Sequence, residues 1–367
     1  MQSGTAKEER NMGVELLRIV SMLMVVVMHV LGQGGVLALV QGMPGSAGYA
    51  AAYLLEAGAY MAINCYALIS GYVGAAHPFR YARLFETQAR VLFYTVLITA
   101  GFFIAMPGLF GFSLIKNALF PAMTGQYWYY TAYFGLMLLM PALQCMTAHL
   151  TRVQFRNLVF SLVLLFSVLP ALFVSDPFQT AQGYSLLWLT ALYLIGAYIK
   201  KFGCPFLKKP LSSLLVYALS VLGAWGIQMA EACGVGIPLP NMLVYTSPLM
   251  LLAGVSLLTA FSGLRIPARL KKAVGLCAPL SFGVYLIHAH PLVWQYLFEG
   301  RFAAFAGEPV YVLVPAVIGA AAAVYVVCTA VDAVRAGLFR ILRVRKGCEW
   351  LEERIAKLFC GNGWRNG

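Results

Sequence analysis

Apolar residues run through this chain in blocks too long for a soluble core, and the polar positions gather in the short gaps between them. Blocks of roughly 17–25 residues cross a bilayer as a helix. They fall at about 13–31, 49–73, 88–107, 127–146, 155–174, 183–200, 211–231, 241–262, 275–297 and 309–332. Pro107, Pro121, Pro177, Pro205, Pro210, Pro238, Pro240, Pro267 and Pro309 lie in or beside the gaps, where helices end. Pro141 and Pro291 fall inside blocks and predict kinks. The pattern predicts an all-α polytopic membrane protein with about ten transmembrane helices.

The basic residues test that count. With the N-terminus in the cytoplasm, one side receives Lys7, Arg10 and Arg18, then Arg80, Arg83 and Arg90, then Arg152 and Arg156. The same side receives Lys200, Lys201, Lys208 and Lys209, then Arg265, Arg269, Lys271 and Lys272, and all the basic residues from Arg335 to Arg365. Of 26 Lys and Arg, only Lys116 and Arg301 fall on the other side. One missed or spurious helix would break this alternation, so positive-inside bias predicts both termini in the cytoplasm and a multi-pass protein of the plasma (inner) membrane. Positions 1–11 lead straight into the first block without a small-residue cleavage site, as a retained helix would. Residues 1–334 are expected to form one membrane domain and 335–367 a basic cytoplasmic tail. In that tail Trp350, Leu351, Ile355, Leu358 and Phe359 fall near one helical face, predicting an interfacial helix over 348–359.

Composition agrees. The chain is 61% hydrophobic and 11% charged, with a mean hydropathy of +0.79, against about 25% charged for a soluble domain. A net charge of +13 would raise nucleic acid as a partner for a soluble protein. Here it sits in clusters between apolar blocks and reads as topology and contact with anionic lipid headgroups. The eight Cys form no CxxC pair, so neither a disulfide framework nor a zinc site is expected, and nothing points to another metal.

Polar groups inside spans are expensive and mark function by default. They are Glu15, Arg18, His29, Glu56, Asn64, Ser70, His288, His290 and Asp332. Arg18 and His29 share the first block, eleven residues apart, hence on one helical face and about 16 Å apart along the axis. The ten residues between them are apolar except Ser21. That places a charge near the cytoplasmic headgroups and a titratable imidazole in the outer half, suited to a long amphipathic ligand threaded along the helix. Glu15 is the expected local partner of Arg18, Glu56 lies at the depth of His29 and is a possible orienting acid, and Asp332 is read as interfacial. Trp128, Tyr129 and Tyr133 fit either an aromatic belt or a sugar-stacking platform.

The segment RIVSMLMVVVMH resembles the Arg, ten residues, His signature of the acyltransferase type 3 family, bacterial membrane enzymes that O-acylate surface carbohydrates. ALISGYVGAAHPFRYAR is similar to that family's second-helix ending, with Ser70 and Tyr72 in its Ser-Gly-Tyr and Arg80 and Arg83 in an Arg-x-x-Arg on the inner loop. QYWYYTAYFGLMLLMPAL resembles its Trp-bearing fourth helix, with Trp128, and LSFGVYLIHAHP its Ser-Phe-Gly-x-Tyr-Leu-x-His helix, with Tyr285 and His288. The resemblance implies His29 as catalytic base, Arg18 as its necessary companion, and Arg80 and Arg83 as the site for the acyl donor. Two Arg at i, i+3 would share a helical face toward coenzyme A phosphates. Glu15, Glu56, Ser70, Tyr72, Trp128, Tyr285 and His288 are supporting candidates. The implied reaction moves an acyl group, acetyl in the first instance, from acyl-CoA as co-substrate, with no permanently bound cofactor, to a hydroxyl of a carbohydrate or glycolipid acceptor. A transporter or flippase of a lipid-linked or amphiphilic substrate is the alternative, distinguished by its indifference to acetyl-CoA, and a membrane sensor without catalysis is a third. The acceptor, the acyl chain and the oligomeric state are not legible.

Overall fold

A computed structural model of the chain describes residues 10–207, 209–236 and 241–360. Lys7, Lys208, Pro238, Pro240, Arg365 and the side chain of Phe359 lie outside the described residues. The described chain is helical, with no strand among its residues. All ten apolar blocks become helices: α1 (Met12–Leu31), α2 (Ala47–Gly74), α3 (Tyr81–Ala105), α4 (Trp128–His149), α5 (Arg152–Phe173), α6 (Leu186–Phe202), α7 (Pro210–Ala232), α8 (Pro248–Ser262), α9 (Ala268–His288) and α10 (Val310–Ile341). Eight are long and apolar enough to cross a membrane. The two that fall short are α6, with 17 residues, and α8, with 15. Proline opens α8, and part of its expected block lies ahead of it in non-helical chain from Met242 to Ser247.

Burial separates centre from periphery. Within their most apolar windows, α1 is 61% and α2 67% buried against protein, while α3, α5, α7 and α10 are only 17–22% buried. Ile104, Leu215, Val326 and Val334 face outward, leaving an apolar exterior that lipid would cover. With lipid as solvent, helices associate through close packing, and small residues permit it. Between α2 and α6 a Cβ on Gly71 would collide with the backbone carbonyl of Tyr193, and one on Gly196 with that of Leu68. Two glycines thus let two backbones touch, and α2 and α6 form the inner layer on which α1, α4 and α8 pack.

Contacts at the helix ends pair the termini that the charge alternation assigns together. At one end Asn11 Nδ2 donates to Ser262 O at 2.9 Å, Lys201 Nζ to Thr147 O at 2.5 Å, and Arg80 pairs with Glu352 at 2.9 Å. At the other, Gly300 N and Phe302 N donate to Gln33 O and Gly34 O, and Trp225 Nε1 to Ala50 O at 2.8 Å.

Several local expectations change. The block at 275–297 breaks after His288, because Pro291 has no N–H and restricts the residue before it. His290 then caps a new turn at Pro291–Val293, accepting from Leu292 N at 3.2 Å, and a π-turn follows at Trp294–Phe298. Asp332 is no interfacial residue: it is fully buried and takes two hydrogen bonds from Arg335, at 2.9 and 2.7 Å, and one from Tyr94 OH at 2.7 Å. α10 runs unbroken past position 334, so Arg335 belongs to the bundle. The tail then forms α11 (Val344–Cys360), which packs along α3 with Trp350 and Leu358 outward.

Candidate active site

Asn11 starts α1, accepting from Gly13 N and Val14 N, and the helix carries His29 to its last turn. α9 ends on His288 at the same level of the bundle. The two rings meet there: His29 Nδ1 lies 2.8 Å from His288 Nε2. His288 Nδ1 lies 2.6 Å from Val284 O, one turn back on its own helix. A carbonyl can only accept, so His288 carries its proton on Nδ1 and offers a lone pair at Nε2. His29 must therefore donate from Nδ1, which leaves its Nε2 without a proton. For two neutral imidazoles the chain Val284–His288–His29 thus fixes the His29 tautomer, as a carboxylate does for the histidine of a hydrolase triad.

Trp294 stands edge-on to the His29 ring, with centroids 4.9 Å apart and planes at 80°. Its indole Nε1 is buried without a hydrogen-bond partner. A buried donor without an acceptor is costly to keep, and this one belongs to a ring packed against that of His29. The π-turn that begins at Trp294 is the kind of helix irregularity that recurs at functional sites.

From His288 a run of rings leads toward Arg18. Tyr285 contacts His288 at 6.4 Å, Tyr129 contacts Tyr285 at 6.1 Å, and Tyr66 contacts Tyr129 at 6.3 Å. Tyr66 OH donates to Arg18 O at 2.7 Å. Ser70 joins this run, donating to Tyr66 O and meeting Tyr133 OH at 3.3 Å. Arg18 itself keeps a buried Nε without a partner. Glu15 lies 4.0 Å from Arg18 but 2.9 Å from Arg10, so its stronger bond is to Arg10.

Other expected residues lie apart from this centre. Arg80 precedes α3 in extended conformation while Arg83 lies in its first turn, so the two do not share a helical face. Arg80 pairs with Glu352 and, at 3.8 Å, with Glu349, both on α11. Arg83 is exposed. The Tyr72 ring lies under Lys200 Nζ at 5.1 Å. Asn64 is structural: it donates to Tyr245 O at 2.8 Å and accepts from Trp188 Nε1 at 3.0 Å. Glu56 is not the partner of His29, whose Nδ1 meets His288. Trp128 packs on Tyr184 and Tyr245. Trp294 was not flagged by the sequence, where it reads as one more aromatic after a histidine cluster.

The acyltransferase domain of the type 3 family matches residues 11–332, from the cap of α1 to the buried Asp332 of α10. The chain belongs to the acyltransferase type 3 family. No curated protein and no solved structure matches it. Membership makes this an acyltransferase, and eight apolar helices of spanning length make it a multi-pass membrane protein. The match covers Arg18 and His29, and the tyrosine run leads from His288 to the backbone carbonyl of Arg18.

Proposed function

We propose that this type 3 acyltransferase transfers an acyl group, acetyl in the first instance, from acyl-CoA to a hydroxyl of an envelope carbohydrate or glycolipid. It does so in the plasma membrane with both termini in the cytoplasm. The observation that carries the reading is the contact of His29 Nδ1 with His288 Nε2, which for neutral rings leaves His29 Nε2 free to take a proton. In the proposed reaction the acceptor hydroxyl gives its proton to His29 Nε2 as its oxygen attacks the thioester carbonyl. The carbonyl oxygen becomes an oxyanion and takes a hydrogen bond from Trp294 Nε1–H. The C–S bond then breaks, the ester remains on the acceptor, and the coenzyme A thiolate takes the proton back from the His29 imidazolium.

The donor belongs at the Arg18 end. Coenzyme A is made in the cytoplasm, and Arg18, Arg80 and Arg83, all assigned to the inner side, offer charge for its phosphates, with the pantetheine arm directed along the tyrosine run. Arg80 is available for this only when it leaves Glu349 and Glu352. The test is a transfer assay with membranes carrying the protein, labelled acetyl-CoA and isolated envelope carbohydrate. Label in the carbohydrate with stoichiometric release of free coenzyme A supports the reading. Acetyl-CoA left intact while a lipid-linked sugar changes leaflet would replace it with transport.

A further inference from the structure

Glu56 is the one acidic side chain at the His29 end of the central helices that the reaction above leaves unused. It lies on α2, partly buried, and its Oε2 is enclosed without a hydrogen-bond partner. Tyr60 stands four residues on, along the same helical edge, and its ring meets that of Tyr245.

Those two tyrosines belong to a cluster. Tyr60 and Tyr245 have centroids 4.9 Å apart, Tyr245 and Tyr184 5.1 Å, Tyr184 and Trp128 4.4 Å, and Trp128 lies nearly parallel to Tyr245, at 26° and 5.8 Å. Trp128 opens α4, while Tyr184 and Tyr245 stand just before α6 and α8, so three separate helix entrances converge on one place. Asn64 secures the backbone of Tyr245 from α2. A lipid-facing aromatic belt would spread its rings around the perimeter. Here Tyr245 is only 5% exposed while Tyr184 is 47% exposed, so the cluster runs from the interior to an open edge. Its inner side is joined to the histidine pair: Trp128 contacts Tyr129 at 5.7 Å, Tyr129 contacts Tyr285, and Tyr285 contacts His288.

We infer that Glu56, Tyr60, Trp128, Tyr184 and Tyr245 form the acceptor subsite, binding a pyranose ring by stacking on the aromatic faces and by hydrogen bonds from its hydroxyls to the Glu56 carboxyl. This inference rests on the acyl-transfer reading and deepens it. A sugar ring has an apolar C–H face and a polar rim. The cluster supplies the complement of both, with flat indole and phenol faces, three phenolic hydroxyls, and a carboxyl oxygen that the fold leaves unbonded. An organic cation is the competing occupant, since rings with a carboxylate also attract quaternary ammonium. It would use the rings and the charge but none of the three phenolic hydroxyls.

The test is equilibrium binding to the purified full chain in lipid nanodiscs without donor, read by tryptophan fluorescence and by saturation-transfer NMR. The probes are methyl glycosides of glucose, galactose and N-acetylglucosamine, with choline as the cation. At least one glycoside should bind saturably, weakening about tenfold in Glu56→Ala, where a hydrogen-bond acceptor is lost, and in Tyr184→Ala. Glu56→Gln should recover part of the affinity, because an amide oxygen still accepts. Tyr184 is at the open edge, so its substitution guards against a folding defect. Choline binding in place of every glycoside, or glycoside binding untouched by Glu56→Ala and Tyr184→Ala, overturns the inference. So does an acceptor KM unchanged in both variants when the wild type transfers label. Failure of the wild type to transfer label from acetyl-CoA refutes the acyl-transfer reading instead, and the binding result stands apart from it.

Discussion

Replacing His288 by Phe removes one lone pair from the centre of the site. His288 is buried and its ring also contacts Tyr285 and Phe298, so Phe fills nearly the same space and keeps the ring packing. What it cannot do is accept the proton of His29 Nδ1, which His288 Nε2 takes at 2.8 Å. His29 then either keeps an unsatisfied donor or moves its proton to Nε2 and ceases to be a base. An unsatisfied buried donor costs about 1–3 kcal/mol, which is about 5- to 150-fold in rate. Holding a catalytic imidazole in the wrong tautomer lowers turnover by as much as about ten-thousandfold in serine proteases. The expected loss in kcat lies between those limits, with donor KM little changed. His288→Gln can present an amide oxygen to the same Nδ1–H and should recover part of the rate. The assay is initial-rate label transfer from acetyl-CoA at matched protein level, with thermal unfolding of each variant in parallel. A folded His288→Phe protein with wild-type rate would refute the tautomer argument, and so would His288→Gln and His288→Phe equally inactive at wild-type stability.

Trp294→Phe keeps the ring beside His29 and removes the buried N–H, so kcat should fall about a hundredfold, the usual scale for one oxyanion donor, with donor affinity measured by direct binding unchanged. Asp332→Asn leaves Arg335 buried without its anion, a loss of about 3–5 kcal/mol, read as a lower melting temperature and poor membrane yield. Gly283→Ala should act in the same direction, because its new methyl would fall on the Asp332 carboxyl. Gly196→Ala drives a methyl into the Leu68 carbonyl, forcing α2 and α6 apart at about 1–3 kcal/mol, visible as reduced thermal stability.

The architecture was legible where burial in lipid demands it. Ten apolar blocks become ten helices because a backbone in hydrocarbon must satisfy itself internally. Length was harder to read, since α8 begins only at Pro248 and the approach to it is irregular chain. The break after His288 had its signal in Pro291. Asp332 was misread because its depth follows from packing against Tyr94 and Arg335, at position 332 a property of the bundle and not of hydropathy. Arg80 and Arg83 miss the shared helical face expected of them because α3 starts only at Tyr81, one residue after Arg80.

At the site, His29 and Arg18 stood out as polar groups on one helix, a local pattern. The pairing of His29 with His288 joins positions 259 residues apart and needs α1 and α9 side by side, which no local period encodes. Glu56 was visible as an acid inside an apolar block, but Tyr184 and Tyr245, the rings of the proposed subsite, come from loop ends that carry no motif. Trp294 had no signal beyond being aromatic.

The most direct test of the central claim is label transfer from acetyl-CoA to envelope carbohydrate by membranes carrying wild type or His29→Ala, with protein level and melting temperature matched. Transfer by the wild type and its loss in His29→Ala, with acetyl-CoA still bound, is the predicted result. Equal transfer by both proteins would contradict the assignment of the base to His29 Nε2.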